Sequence, residues 1–364
     1  MHILQSLAIL LAVVQIGWLA SHDDRSDLAR TLAAAYAGFL ILGALFGPSG
    51  FADHLAYVGF AEAARNMNYA DLVAPEGIGR ALLKLLVSLS GSPEHGVDLL
   101  TYLVFGSTLT GIALLSRSYA PAPANVAVLL ALAGPLLAFN TLRASPAYLL
   151  VAFVILRGPR WDGLTAGLLL LALGFHVTVV LPTGALVLYA LFRWALGDRP
   201  RRNAWVLGVL LALAIAGQLA LRSSLSEAIQ FFSEGSELAR LPELSAYLDE
   251  ELFSGSIFHD LWFLGVAAVG VALFWADRKA PGFGRRQLFM AFFLIMTVLH
   301  ASPVAAHRFS LYLLIPLILG TDYHQLLPSF TASRAYRFGF PLAVGALFAA
   351  TFLGNLARRN IYLG

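Results

Sequence analysis

The 364-residue chain contains no cysteine. That excludes disulfides, thiol nucleophiles and Cys-ligated metal. Charge is also scarce: Asp, Glu, Lys and Arg make up 12% of the residues, against roughly 25% in soluble domains. No Walker motif, GxSxG or HExxH occurs, so the usual signatures of nucleotide binding, serine hydrolysis and zinc proteolysis are missing. No internal repeat, low-complexity tract or linker divides the sequence. What is present is apolar: 59% of the residues are hydrophobic and the mean hydropathy is +0.76. Length alone would suggest roughly two or three soluble domains. The apolar blocks instead recur along the whole chain, so the expectation is one transmembrane domain over 1–364. The net charge of +3 is then read as loop asymmetry rather than as a nucleic-acid signal.

Apolar runs bounded by charges and Gly/Pro breaks predict spans at 2–20, 31–48, 97–116, 123–142, 146–156, 163–181, 183–192, 204–221, 260–275, 288–302, 309–322 and 338–355. The expected fold class is an all-α polytopic integral membrane protein with about 12 transmembrane or partly spanning helices. Residues 1–20 read as a retained first span. Their n-region has no Lys or Arg, and Trp18 and Leu19 crowd the place of a cleavage site. The run 146–156 would cover only about 16 Å of a hydrocarbon core about 30 Å thick. The block 163–192 is interrupted by Pro182 and Gly184. Short or broken helices at membrane depth must be buried in protein or line a cavity, so 123–192 is expected to form a broken-helix core. Placing the 21–30 loop inside puts "RPRR" (199–202) and "RKAPGFGRR" (278–286) inside as well, the positive-inside pattern. Segments 49–96 and 222–259 then lie outside, with amphipathic surface helices.

Arg143, in "FNTLRASPAYLL" (139–150), falls on the outer side by this reckoning. It is not needed for orientation. It could cap the carbonyls ending its span. An arginine near membrane depth is otherwise a functional candidate. The same outer side collects Asp53, His54, Tyr57, Glu76 and Arg80 from the 49–96 segment, His176 from "LALGFHVTVVLP", and Arg308 and Tyr312 from "LHASPVAAHRFSLYLL". His300 and His307 accompany the last two. Arginines bind phosphate through charge-assisted hydrogen bonds, and a carboxylate or histidine can serve as general base. An outer-face cavity with arginines and one base fits an enzyme using a lipid-linked pyrophosphate substrate.

The stretches "DHLAYVGF" and "APEGIGRALL" resemble the first large outer loop of EpsG-like, Wzy-type polysaccharide polymerases. "NTLRASPAYLLVA", followed by the histidine of "LGFHVTVVL", is similar to that family's N-x-x-R-x-x-x-A segment and its later His-containing helix. "AHRFSLY" is similar to the family's late Arg-with-Tyr segment. The ordered set covers residues 50–320. Pro146 partly displaces the usual Ala after the arginine. The resemblance implies a GT-C-like membrane glycosyltransferase of the inner (plasma) membrane, active at the periplasmic or exterior face. It would polymerise undecaprenyl-pyrophosphate-linked repeat units into a surface polysaccharide such as exopolysaccharide or O-antigen. Its partners would be lipid-linked glycan donor and acceptor, membrane lipid and a chain-length regulator protein, with no nucleic acid or cofactor; no metal is needed on this account, although Asp53 and Glu76 could hold one. On this reading Asp53, His176 or Glu76 deprotonates the acceptor hydroxyl. His54, Tyr57, Arg80, Arg143, Arg308 and Tyr312 bind substrate. Two other readings stay open: a GT-C glycosyltransferase or O-antigen ligase using another polyprenyl-linked donor, and a lipid-linked sugar flippase.

Overall fold

The computed structural model describes residues 2–22, 28–51, 53–67, 76–119, 122–158, 160–196, 261–266, 285–300, 303–320 and 333–356, with scattered positions at 205–216 and 268. The expected outer segment 222–259, most of the expected spans 204–221 and 260–275, and the "RPRR" cluster lie outside the described residues. Every described element is helical: α1 (His2–Ala20), α2 (Leu28–Phe46), α3 (His54–Asn66), α4 (Gly77–Ser90), α5 (Pro93–Tyr119), α6 (Pro123–Pro135), α7 (Ala144–Leu156), α8 (Gly163–Phe175), α9 (Val180–Leu196), α10 (Arg285–Leu299), α11 (Pro303–Gly320) and α12 (Arg334–Gly354). Extended pairing among the described residues is limited to a bridge between Phe51 and Leu356.

Among the described residues, six stretches are long and apolar enough to cross a membrane: Ile3–Ala20, Leu28–Phe46, Pro93–Tyr119, Pro123–Asn140, Val177–Ala195 and Arg334–Gly354. Four shorter apolar helices accompany them. These correspond to ten of the expected spans, with shifted ends. The all-helical character read from hydropathy is therefore present among the described residues, with several helices long and apolar enough to span a membrane.

The local chemistry explains several boundaries. Helix α5 opens on Pro93 with Glu94 in its first turn and carries Arg117 in its last, which matches the rigid φ of proline at a helix start and the helix dipole at both ends. Gly91 ends α4 with φ 79°, the left-handed cap that glycine adopts without Cβ strain. Asp162 caps α8 by accepting from the Thr165 N–H at 2.8 Å.

The helices form two compact units, residues 1–179 with 315–364, and residues 180–314. In the first, α1 packs against α2 and α12, and α6 against α1 and α12. Gly17 and Gly345 let the α1 and α12 backbones approach closely: a Cβ on Gly345 would lie 3.2 Å from the Val13 carbonyl oxygen. Phe39, Phe51, Phe105, Phe139, Phe348 and Phe352 interlock behind them, with Phe51 stacked on Phe139 at 4.2 Å. Helices α6 and α7 are buried along almost their whole length. Between them Leu136–Asn140 widens into a π-turn after Pro135, and Arg143 follows as the residue that opens α7.

One expected break moves. The block 163–192 was expected to interrupt at Pro182 and Gly184; it breaks at His176, which is extended (φ −152°, ψ 128°). Pro182 sits instead in the first turn of α9, where no N–H partner is lost. The reason for the earlier break lies outside the helix.

In the second unit α9 packs on α10. Phe192, Val206 and Leu210 gather around Met290. A helical segment at 261–266 meets the end of α10 and the start of α11 through two aromatic–histidine contacts, Phe263 with His300 (4.4 Å) and Trp262 with His307 (4.6 Å).

Candidate functional site

Glu76 is the residue around which the site is organised. It precedes α4 in a left-handed conformation, φ 68° and ψ 6°, the one positive-φ residue other than glycine among those described. Such a backbone costs roughly 1–2 kcal/mol for a residue with a Cβ. It persists where surrounding structure over-determines it, often at functional sites. Here the surroundings are specific. The Glu76 N–H donates to the Leu173 carbonyl near the end of α8 (3.2 Å). Its carboxylate is 2% exposed as a residue and accepts at both oxygens. Oε2 accepts from Arg143 Nη1 at 2.8 Å, and Oε1 accepts from the Val177 N–H at 3.0 Å.

The second of these bonds explains the break in α8. Ending the helix at His176 turns the Val177 N–H away from the helical ladder, and Glu76 supplies its acceptor. A buried N–H without a partner would cost about 1–3 kcal/mol, so the carboxylate and the break stabilise each other. Two glycines permit the approach. A Cβ on Gly79 would stand 3.3 Å from the Phe175 carbonyl oxygen, and one on Gly174 would stand 2.5 Å from Ile78 Cδ1.

Arg143 is buried at 8% exposure. Besides Glu76 it meets two aromatic faces, Phe60 at 4.4 Å and Tyr57 at 5.7 Å from the guanidinium carbon. Its backbone N–H donates to Tyr57 Oη at 3.3 Å. A buried guanidinium needs a carboxylate and hydrogen bonds to offset desolvation, and cation–π contacts add about 0.5–2 kcal/mol each. His176 approaches from the break. Its Nδ1 lies 3.7 Å from Glu76 Oε1, accepts from the Thr178 N–H at 3.2 Å, and is 2.8 Å from Thr178 Oγ1.

The structure therefore brings together Tyr57, Glu76, Arg143 and His176, from α3, the start of α4, the start of α7 and the α8 break. Arg80 is half-buried one turn into α4, its N–H bonded to the Glu76 carbonyl. Asp53 stands at the head of α3, one turn before Tyr57 on the same side, the Tyr57 N–H bonded to its carbonyl. The Asp53 side chain does not cap its own helix. His54 is buried with Nε2 3.9 Å from Asp98 Oδ1, a partner on α5 that sequence reasoning did not single out. Arg308 and Tyr312 belong to the second unit. There Arg308 is half-buried and Tyr312 fully buried.

Two contributors escaped the sequence reading. Phe60 lies three residues after Tyr57, and that helical spacing is the signal that places both rings on one side. Thr178 gave no sign, because a threonine beside an apolar run is unremarkable until a helix ends next to it. No group of three or more metal-ligating side chains occurs among the described residues. Comparison of the chain with protein-family models, curated proteins and solved structures gives no match.

Proposed function

We propose that the protein is a membrane glycosyltransferase that polymerises undecaprenyl-pyrophosphate-linked oligosaccharide units into a surface polysaccharide, at the outer face of the plasma membrane, within a GT-C-like helical frame of about 12 spans. The observation that carries the reading is the buried Arg143, fixed by Glu76 and two aromatic faces where the apolar core of α6 and α7 is interrupted. An arginine and a histidine that face the two oxygens of one carboxylate, each at its own helix interruption, suit a polyanionic headgroup, since guanidinium–phosphate bonds are charge-assisted and directional.

In this reading Arg143, with Arg80, holds pyrophosphate and offsets the charge that develops on it as the glycosidic bond breaks; Arg308 binds substrate by the resemblance of its own segment. Glu76 has both carboxylate oxygens engaged, so it positions Arg143 rather than taking the acceptor proton. Asp53 is then the carboxylate for the acceptor hydroxyl. The test is reconstitution of the purified chain with undecaprenyl-pyrophosphate oligosaccharide. A ladder of products is expected. It should be lost in folded Arg143→Lys, whose ammonium lacks the planar donor fork, and in Arg308→Ala. Normal chain length in both variants overturns the assignment.

A further inference from the structure

We infer that His176 acts in this site as a hydrogen-bond donor through Nε2–H, held in that tautomer by Thr178, and is not the base that deprotonates the acceptor. The inference rests on the lipid-linked substrate proposed above and assigns one residue its role within it.

The deciding group is a backbone amide. The Thr178 N–H can only donate, and it points at His176 Nδ1 from 3.2 Å. Nδ1 must therefore present its lone pair. In a neutral imidazole one nitrogen carries the proton and the other accepts, so the proton sits on Nε2. Thr178 Oγ1, 2.8 Å from the same nitrogen, can donate to it as well. The conformation that creates this contact is the helix break itself. With His176 extended and Val177–Val179 in a short 3-10 turn, the N–H of residue 178 swings back onto the preceding side chain.

A base at this position would have to take its proton on Nδ1. That proton would face the Thr178 N–H, setting donor against donor. Nor would it point at an acceptor hydroxyl, because Nδ1 is directed toward Thr178 and toward Glu76 Oε1 at 3.7 Å. Nε2 in turn cannot abstract a proton that it already carries. Giving up the Nε2 proton completely would leave an imidazolate, so the group donates a hydrogen bond without transferring its hydrogen. No bond is made or broken at His176. The fixed N–H offers a donor to an anionic oxygen, the service of a preorganised donor at developing charge. Among the described residues, the charged groups near it include Glu76 from the start of α4 and, across that carboxylate, Arg143 from the start of α7.

Amide variants separate donor from base. Glutamine carries its NH₂ near the place of Nε2, whereas asparagine places its amide near Nδ1. Turnover of undecaprenyl-pyrophosphate oligosaccharide should fall by about 10²–10³ in His176→Ala, the usual loss on removing one such donor. His176→Asn should lose a similar amount. His176→Gln should stay within about tenfold of wild type, with the pH profile of turnover between pH 6 and 8 unchanged in shape. A His176→Gln protein as inactive as His176→Ala, or one that loses a titration step present in wild type, overturns the donor role. Nitrogen-15 NMR of histidine-labelled protein, with residue 176 assigned by difference against His176→Gln, reads the tautomer without any activity. A protonated Nε2 and bare Nδ1 are expected, and the reverse assignment overturns the inference whatever the enzymology. If wild-type protein builds no ladder at all while Nε2 is protonated, the polymerase reading is what fails, and the substrate role given to His176 fails with it.

Discussion

Removing one partner of the Glu76–Arg143 pair tests how the site is held together. Both side chains are nearly solvent-free, 3% and 8% exposed, and the Nη1–Oε2 distance is 2.8 Å. Breaking a buried pair from one side costs about 3–5 kcal/mol, because the remaining charge stays behind in a poor solvent. Glu76→Gln and Arg143→Met should each lose about that much. The double variant replaces the pair with an amide that can still accept from Val177 and an apolar side chain of similar length. Such replacements are often near neutral, so the double variant should recover most of the loss, a coupling of about 3 kcal/mol or more. A further pair of variants isolates the backbone. Glu76→Ala keeps the left-handed strain and Glu76→Gly relieves it, so the glycine protein should be more stable than the alanine one by roughly 1–2 kcal/mol. The six tryptophans report unfolding during an SDS titration in mixed micelles. Additivity of the two single variants within about 0.5 kcal/mol would refute the claim that these charges stabilise each other across the helix junction.

Three other outcomes are expected. Gly96→Ala would bring a Cβ to 2.6 Å from Val87 Cγ2 and 2.9 Å from Val87 Cα; backbone cannot give way as a side-chain tip can, so a loss of about 1–3 kcal/mol is expected from overpacking, whereas Gly59→Ala, with nothing within 4 Å, should gain about 0.5–1 kcal/mol of helix stability in the same titration. Phe60→Leu should cost about 0.5–2 kcal/mol through the lost cation–π face on Arg143, and the loss should vanish when Arg143 is already methionine. The third concerns the loop pair Arg157–Asp162. Its bidentate hydrogen bonds, then the Thr165 N–H, hold the Asp162 carboxyl well below the usual carboxylate range. A carboxylate that binds its proton more weakly folded than unfolded adds stability above its unfolded value near pH 3.9 and surrenders it as the pH falls toward the depressed folded value. Asn at 162 still caps α8 but carries no charge, so the melting-temperature gap between wild type and Asp162→Asn should narrow from about pH 5 to about pH 2.5. A gap that widens on acidification contradicts the assigned sign.

Much of the helical layout was legible in the chain because hydropathy is a local property. A run such as 2–20 or 338–355 declares itself whatever it packs against, and the structure finds α1 and α12 there. Arg143 was conspicuous for the same reason: in a run of apolar residues a single guanidinium requires an explanation. By itself the sequence thus determined the all-helical, multi-span character and the residues that would be expensive to bury. Tertiary structure alone decided what compensates them. Glu76 is 67 residues from Arg143 and 101 from Val177, and no helical period links positions so far apart. The break expected at Pro182 falls at His176 because a carboxylate from another helix supplies the acceptor for the Val177 N–H, whereas proline in a first turn displaces no hydrogen bond. The nitrogen of His176 that carries the proton is decided the same way, by a backbone N–H two residues on that points at it only once the helix has ended.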